Sequence, residues 1–380
     1  MKLQLASVLM DATRLVRGGK LKEATAAIQR ALGGHSRPER APRVDSGPAV
    51  IEGTARVVHV EPRRTAHAAD HGQFAPRAPA APAPGEGGRF LTSTYTNHAG
   101  TLEYKTYIPS AYQGQALPVV VMLHGCKQDP DDFAAGTRMN ELAEEHKFVV
   151  VYPKQSNKAN VSHCWNWFQA KDQRRDHGEP SLIAGITRKV IDDYRLDTRR
   201  VYVAGLSAGG AMAAVMGTTY PDVYAAAGVH SGLAYAAARD VPSAFAAMRG
   251  DVSKRARPKS AADPSVRSVP TIVFHGDRDM TVHPKNGDHV IAEASPPPSE
   301  KVDVSSDAQA GATVENGKAS GRAYTRTTYR DAAGQPVVEH WVVHGAGHAW
   351  SGGSANGSFS DPKGPDASRE MLRFFLQHGL

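Results

Sequence analysis

The chain has 380 residues, 41% of them hydrophobic, which is enough for one large α/β domain with an appendage. It lacks the run of 18 apolar residues that a transmembrane helix would need. Residues 1–88 hold 13 of the 45 Lys and Arg residues but 8 of the 38 Asp and Glu residues, so most of the net charge of +7 belongs to this segment. All four tryptophans lie elsewhere, and because a nucleic-acid binder needs basic and aromatic residues on one folded face, we predict no nucleic-acid partner.

The first 88 residues are predicted to form an appendage in two parts. Residues 4–17 and 20–32 each place apolar side chains at helical spacing, with Gly18-Gly19 between them, so we predict a helical hairpin over residues 1–34. Residues 35–88 are rich in Pro, Ala and Arg, and this composition predicts a disordered linker. The hairpin is interpreted as a docked or semi-ordered extension, with contact to a granule or polymer as the alternative.

The extreme N-terminus superficially resembles a secretion signal. Asp11, Arg14 and Arg17 interrupt it before a proper apolar region or a cleavage site appears. From these residues we predict no export and a cytoplasmic location.

Residues 89–380 are predicted to form the catalytic domain. Strand-like apolar runs alternate with helical or loop stretches, which predicts an α/β fold with a mostly parallel sheet and helices on both faces. Residues 296–320, with three consecutive prolines, are interpreted as an insertion loop, and residues 367–378 as a closing helix. The predicted strands are residues 90–96, 102–108, 119–123, 148–152, 201–204, 225–230, 271–275 and 337–343.

The most informative motif is Gly-x-Ser-x-Gly at residues 205–209. A β-branched apolar run precedes it and an Ala- and Met-rich helical run follows it, so the motif lies between a strand and a helix. This context indicates a nucleophile elbow, in which Ser207 is the nucleophile and a Cβ at Gly205 or Gly209 would crowd the strand and the helix. A chance match in a Gly- and Ser-rich loop is the alternative.

The serine needs a base, and the base needs a carboxylate to orient it. In α/β hydrolases the order is Ser, acid, His, and the acid follows a late strand. The strand at 271–275 is followed by Asp277 and Asp279, of which we predict Asp279 as the acid. The last strand is followed by His344 and His348, of which we predict His348 as the general base because it has more loop freedom.

The developing oxyanion needs fixed hydrogen-bond donors. One is predicted to be the backbone N–H of Ala208, directly after the nucleophile, and the other that of Cys126, in the loop after the strand at 119–123. A catalytic thiol at Cys126 is the alternative interpretation, which is disfavoured because Ser207 already has a set of partners.

Together these segments resemble the esterases and short-chain polyhydroxyalkanoate depolymerases of the polyhydroxybutyrate-depolymerase type, over about residues 89–380. The resemblance implies an α/β-hydrolase fold, catalysis by Ser207, Asp279 and His348 without cofactor or metal, and an extracellular location. It also implies a disulfide between Cys126 and Cys164. The matching motifs are LHGCKQ (123–128), HCWNWF (163–168), GLSAGGAM (205–212), HSG (230–232) and GHAWSGG (347–353).

Three ring-bearing residues, His124, Trp165 and Trp350, are expected to contact substrate. Aromatic side chains offer wide apolar contact to an aliphatic ester, with core packing as the alternative for one or two of the tryptophans. We predict a serine esterase that hydrolyses poly-3-hydroxybutyrate or its oligomers through an acyl-enzyme. The alternatives are a feruloyl or acetylxylan esterase with the same catalytic residues, and a binding protein on a hydrolase scaffold.

Overall fold

A ten-stranded mixed sheet lies at the centre of the part of the chain that the computed structural model describes, residues 87–251, 268–295 and 312–380. The strands are β1 (Arg89–Asn97), β2 (Gly100–Ile108), β3 (Val119–Leu123), β4 (Val149–Lys154), β5 (Val201–Leu206), β6 (Ala226–His230), β7 (Thr271–Gly276), β8 (Ala312–Ala319), β9 (Arg322–Arg330), β10 (Pro336–Val343), β11 (Trp350–Ser351) and β12 (Ser360–Asp361). Their order in the large sheet is β1-β2-β4-β3-β5-β6-β7-β10-β9-β8, and β11 and β12 form a separate two-stranded sheet.

The six central strands, from β4 to β10 in the sheet order, run parallel to one another. The pairs at both edges, β1 with β2 and β8 with β9, are antiparallel. Because the carboxyl ends of parallel strands meet at one edge of a sheet, the loops that follow β3, β5, β7 and β10 come together there.

Helices cover both faces of this sheet. The helices are α1 (Pro130–Thr137), α2 (Met139–His146), α3 (Gly178–Tyr194), α4 (Ala208–Thr219), α5 (Val241–Met248), α6 (Lys285–Ala294) and α7 (Ala367–Phe375), and a short 3₁₀ helix spans Ala170–Gln173. One hydrophobic core contains residues of α3, α4 and α5, and another contains residues of α1, α2 and α7. Helix α6 packs on β7 and β10.

The central strands are apolar along their whole length because both of their faces are buried. In β3, Val119 and Val121 face the core shared with α3 and α4, whereas Val120 and Met122 face the core of α1, α2 and α7. All five residues of β3 are fully buried. This is the continuous hydrophobic pattern expected of a parallel strand between two helical layers.

The predicted fold class, an α/β fold with a mostly parallel sheet and helices on both faces, is confirmed. One boundary was wrong: residues 312–319, assigned to the insertion loop, form strand β8, and β9 was not predicted. The predicted hairpin at 1–34, its contact with a granule or polymer, and the linker up to residue 86 lie outside the described residues. Within the described ranges, no helix combines the length and apolar character needed to span a bilayer.

Candidate active site

Ser207 occupies a sharp turn between the end of β5 and the start of α4. Its backbone has φ 57° and ψ −117°, a conformation that a residue with a side chain adopts only under strain. The flanking glycines permit the turn: a Cβ on Gly209 would lie 1.9 Å from the carbonyl oxygen of Leu123, and one on Gly205 would lie 2.3 Å from that of Gly209. The predicted nucleophile therefore has the backbone geometry of a nucleophile elbow.

The neighbouring sheet strand and helix hold this turn in place. The Ser207 N–H donates to the carbonyl of His230, at the end of β6, over 2.9 Å, and the Ser207 carbonyl accepts from Ala211 in α4. Ala208 is the first residue of α4, where an N–H has no acceptor within the helix. The first-turn N–H groups and the positive end of the helix dipole thus lie directly beside the serine.

Asp279 and His348 form a hydrogen-bonded pair in the loops after β7 and β10. The distance from His348 Nδ1 to Asp279 Oδ2 is 2.7 Å, and Asp279 Oδ1 accepts from the N–H groups of Thr281 and Val282, each over 2.8 Å. Burial raises the pKa of Asp279, but the hydrogen bonds from His275 and His348 outweigh it and hold this pKa well below its ordinary value. The ionised carboxylate keeps the His348 proton on Nδ1 and leaves Nε2 free to accept another.

The alternative residues, Asp277 and His344, form a second pair at the surface. His344 Nδ1 lies 2.9 Å from Asp277 Oδ2, and the other carboxylate oxygen accepts from the Gly345 N–H over 2.7 Å. The Asp277 side chain is 37% exposed, whereas that of Asp279 is fully buried. A buried aspartate holds an imidazole more firmly than a solvated one, so the geometry favours Asp279 with His348 as the catalytic pair.

A second histidine, His275, supports the Asp279 loop and was not assigned a role from the sequence. It lies at the end of β7 and is 1% exposed, and its Nε2 donates to the Val282 carbonyl over 2.9 Å. The same nitrogen is 3.5 Å from Asp279 Oδ2. Its position within a His-Gly pair at a strand end is visible in the sequence, but its contact with Val282 depends on the fold of the turn.

The loop after β3 carries the candidate oxyanion donor Cys126. The neighbouring N–H groups are engaged, that of Gly125 by the side chain of Gln128 and that of Lys127 by the carbonyl of Ser162. The Cys126 N–H has no acceptor among the described residues. A Cβ on Gly125 would lie 3.6 Å from the Cβ of Ser207, so this loop lies against the elbow. Cys126 is therefore placed to offer its N–H beside the serine.

Cys126 is covalently bonded to Cys164, as the resemblance implied. Their sulfur atoms are 2.05 Å apart, and the two cysteines are 38 residues apart in the sequence. The bridge joins the loop after β3, residues 124–128, here called the oxyanion loop, to the tryptophan-containing segment 163–168. A cysteine in a disulfide cannot act as a thiolate nucleophile, so in this state the thiol interpretation of Cys126 does not apply.

The expectation that His124 contacts substrate is corrected by its burial. It is 1% exposed; its Nδ1 donates to the Gly125 carbonyl over 2.8 Å and its Nε2 accepts from the Gln155 N–H over 3.1 Å. Burial lowers the pKa of His124 to about 4, so the ring is neutral at pH 7. Both ring nitrogens are used within the protein, and His124 supports the oxyanion loop from behind.

Trp165 and Trp350 are also buried, at 0% and 1% exposure, and this corrects their assignment as substrate contacts. The Trp165 indole N–H donates to the His124 carbonyl over 3.1 Å, and that of Trp350 donates to Ser368 in α7 over 3.0 Å. Trp350 also stacks on His230, with ring centroids 5.0 Å apart. Each tryptophan fixes a loop of the site from within the core and leaves no ring face for a ligand.

No group of three or more His, Cys, Asp or Glu side chains is arranged to hold a metal ion within residues 87–251, 268–295 and 312–380. The arrangement offers a serine hydroxyl, an imidazole oriented by a carboxylate, and backbone N–H groups at one edge of the sheet.

Comparison with known proteins finds that the chain is similar to several esterases. The Esterase PHB depolymerase family model matches residues 102–318. Poly(3-hydroxyalkanoate) depolymerase C of Paucimonas lemoignei is 33% identical over 264 residues, which cover 67% of this chain and 60% of that protein. Feruloyl esterase B of Neurospora crassa is 35% identical over 132 residues, covering 34% of this chain and 44% of that protein. The chain thus spans about half the length of these relatives.

A solved structure has the same fold. The acetyl xylan esterase from Aspergillus awamori aligns with a TM-score of 0.56 at 20% identity, covering 77% of this chain and 100% of that one. The fold described above is accordingly an α/β-hydrolase fold. The family match covers more than half of the chain and includes the candidate nucleophile, its acid and both loops joined by the disulfide. The chain belongs to the Esterase PHB depolymerase family.

Proposed function

We propose that this protein is a serine hydrolase that cleaves esters of 3-hydroxyalkanoic acids through an acyl-enzyme. The observation that carries the proposal is the 2.7 Å contact between buried Asp279 and His348, at the same sheet edge as the strained turn of Ser207. These three residue types supply a nucleophile, a general base and an orienting carboxylate.

In the proposed reaction, Ser207 Oγ attacks the ester carbonyl while His348 Nε2 takes its proton. Asp279 stabilises the resulting imidazolium, and the N–H groups of Cys126 and Ala208 receive the oxyanion. As the tetrahedral intermediate collapses, His348 returns the proton to the leaving alcohol, and the acyl group stays on Ser207. A water then attacks the carbonyl of the acyl-enzyme while His348 takes one of its protons. His348 passes this proton to Ser207 Oγ as the bond between Oγ and the acyl carbon breaks, and the acid is released.

A water-insoluble aliphatic polyester is the favoured substrate class. Besides the family, the support is a set of exposed apolar side chains on the loops that carry the candidate site: Met280 follows Asp279 and is 95% exposed, and Val161 is 73% exposed. Phe359 is 43% exposed, and its carbonyl accepts from the N–H of Trp350. We propose that these three side chains contact an uncharged polymer surface.

The second candidate is an esterase that acts on feruloyl or acetyl groups of plant polysaccharides. It needs the same catalytic groups, and the similarity to Feruloyl esterase B favours it. The two candidates differ in the acid released and in the physical state of the substrate, and an assay on defined esters therefore separates them.

The test is product release from amorphous poly-3-hydroxybutyrate, run beside methyl ferulate and p-nitrophenyl acetate, with wild type and Ser207→Ala. We expect 3-hydroxybutyrate or its oligomers from wild type and no turnover from the variant, whose thermal melting shows that the fold is kept. Activity confined to methyl ferulate would replace the depolymerase assignment by the second candidate. Substantial ester hydrolysis by Ser207→Ala would contradict the proposed nucleophile for every substrate.

A further inference from the structure

One buried carboxyl group, Glu179, lies outside the proposed reaction. It is the second residue of α3 and is 6% exposed. Three N–H donors meet it: Gln155 Nε2 lies 2.5 Å and Asn166 Nδ2 2.6 Å from its Oε1, and the Asn166 backbone N–H donates to Oε2 over 2.8 Å. Because all three groups donate, the ionised carboxylate satisfies them, whereas a protonated one would bring a fourth proton into the same space.

The orientation of Gln155 is fixed independently of Glu179. Its Nε2 also donates to the Cys164 carbonyl over 3.0 Å, and its Oε1 accepts from the Ser156 N–H over 2.9 Å. The amide therefore has its nitrogen, not its oxygen, toward Glu179, and the carboxylate is a true acceptor of the Gln155 proton.

The residues that Glu179 holds are joined to the oxyanion loop at three points. The Gln155 backbone N–H donates to His124 Nε2, and the Trp165 indole N–H donates to the His124 carbonyl. The third point is the disulfide from Cys164 to Cys126. All three connections converge on residues 124–126, the segment that carries the candidate oxyanion N–H.

We infer that Glu179 is a positioning residue for the oxyanion hole: its carboxylate fixes residues 155 and 164–166, and through them the Cys126 N–H. The inference rests on the proposed function, because it gives the Cys126 N–H its oxyanion role. Glu179 touches neither substrate nor Ser207 in this scheme. Its replacement should therefore lower kcat and leave KM little changed, because an oxyanion donor acts on the transition state.

A second carboxyl group, Asp172, faces Glu179 from the 3₁₀ helix. Its Oδ1 accepts from the Glu179 N–H over 2.8 Å, and its buried Oδ2 makes no hydrogen bond with the described residues. The ammonium of Lys171, 67% exposed, is 4.0 Å from that oxygen. Gly178 permits this approach, since a Cβ there would lie 2.0 Å from Asp172 Oδ1.

These surroundings make the ionisation of Glu179 sensitive to pH near neutrality. Burial and the charge of Asp172 raise the pKa of Glu179 to about 7, against the opposing hydrogen bonds from Gln155 and Asn166. As the pH falls through this value, Glu179 takes up a proton and loses an acceptor position, so turnover should fall on the acid side. His124, reached through Gln155, is neutral in this range.

The experiment measures kcat and KM for p-nitrophenyl acetate between pH 5 and 9 for wild type, Glu179→Gln and Asp172→Asn. Glu144→Gln is the matched control, because the Glu144 carboxylate also accepts from three donor groups, the Tyr107 hydroxyl and the N–H and hydroxyl of Ser110, and contacts none of residues 124–126 or 155–166. We expect Glu179→Gln to lower kcat about 10-fold or more, a part of what losing a whole oxyanion donor costs, with KM little changed. Glu144→Gln should leave both parameters unchanged.

Asp172→Asn distinguishes two causes of a fall in kcat at low pH: protonation of Glu179 and protonation of the general base His348. Removing the neighbouring negative charge lowers the pKa of Glu179. The fall of kcat on the acid side of its pH profile, the acid limb, should therefore move to lower pH by about 1 unit. A limb governed by His348 alone would not move, and this outcome would overturn the inference, as would a kcat of Glu179→Gln within about 2-fold of wild type. If Glu179→Gln does not fold, the pH profile of Asp172→Asn still tests the role of Glu179.

The outcomes also distinguish this inference from the proposed function. Loss of all activity in Ser207→Ala beside an unaffected Glu179→Gln would refute only the role of Glu179. A wild type that is inactive on every ester would refute both that role and the proposed function.

Discussion

Replacing Asp279 by Asn isolates the role of its charge from that of its shape. Asp279 Oδ1 accepts two backbone N–H groups, so the asparagine carbonyl must occupy that position. The asparagine NH₂ then replaces Oδ2 and faces His348 Nδ1, which was 2.7 Å from the carboxylate. Two N–H groups cannot donate to each other, and His348 must turn its proton from Nδ1 to Nε2. This is the wrong tautomer, since Nε2 has to accept the proton of Ser207.

The expected loss is about 10⁴-fold in kcat, equivalent to about 5.4 kcal/mol of transition-state stabilisation. The chain provides a matched control in Asp277→Asn, because Asp277 contacts His344 in the same way but at the surface. Exposed ion pairs contribute about 0–1 kcal/mol, so this control should keep kcat within a few-fold of wild type.

The assay is steady-state hydrolysis of p-nitrophenyl acetate at pH 8, with thermal melting of each variant to establish that it is folded. A folded Asp279→Asn that keeps more than about a tenth of the wild-type kcat would contradict the role of Asp279. An equal loss of kcat in Asp277→Asn would contradict it too, because the surface pair would then take part in catalysis.

Two further substitutions test the supports of the site. Gly209→Ala places a Cβ 1.9 Å from the backbone oxygen of Leu123 and should lower the free energy of unfolding by several kcal/mol in urea titrations. Gly347→Ala, whose Cβ would meet nothing within 4 Å, is its control and should leave that free energy unchanged, so equal losses would contradict the packing argument. The double substitution of Cys126 and Cys164 by Ser opens a loop of 38 residues and should cost about 4 kcal/mol of unfolding free energy by chain entropy. Identical urea midpoints with and without the bridge would show that it does not stabilise the fold.

The sequence predicted best the features that depend on local pattern. The strands before Ser207 and Asp279 are short apolar runs. The turns that follow them contain glycine and aspartate, whose preference for turn conformations depends on neighbouring residues only. Parallel pairing then brings the ends of these strands to one edge without any further information from the sequence. The α/β architecture and the proximity of Asp279 to His348 follow from this arrangement.

The features that escaped prediction depend on contacts between distant segments. Trp350 is buried because Phe133 in α1 packs edge-to-face with its ring and Ser368 in α7 accepts from its indole N–H. Neither contact can be predicted from the residues that neighbour Trp350 in the sequence. The edge strand β8 was missed for a different reason: residues such as Val314, 63% exposed, face solvent, and a strand with polar residues on both faces lacks the period-2 apolar pattern.

The positive φ of Ser207 makes the residue that is best for stability different from the one that the proposed activity requires. Holding a side chain at φ 57° costs on the order of 1–3 kcal/mol, which glycine would not incur. If the proposed nucleophile is right, selection for robustness alone would drive this position toward glycine, and only selection for ester hydrolysis retains the hydroxyl. Glycine at residue 207 should therefore stabilise the fold while removing the proposed nucleophile.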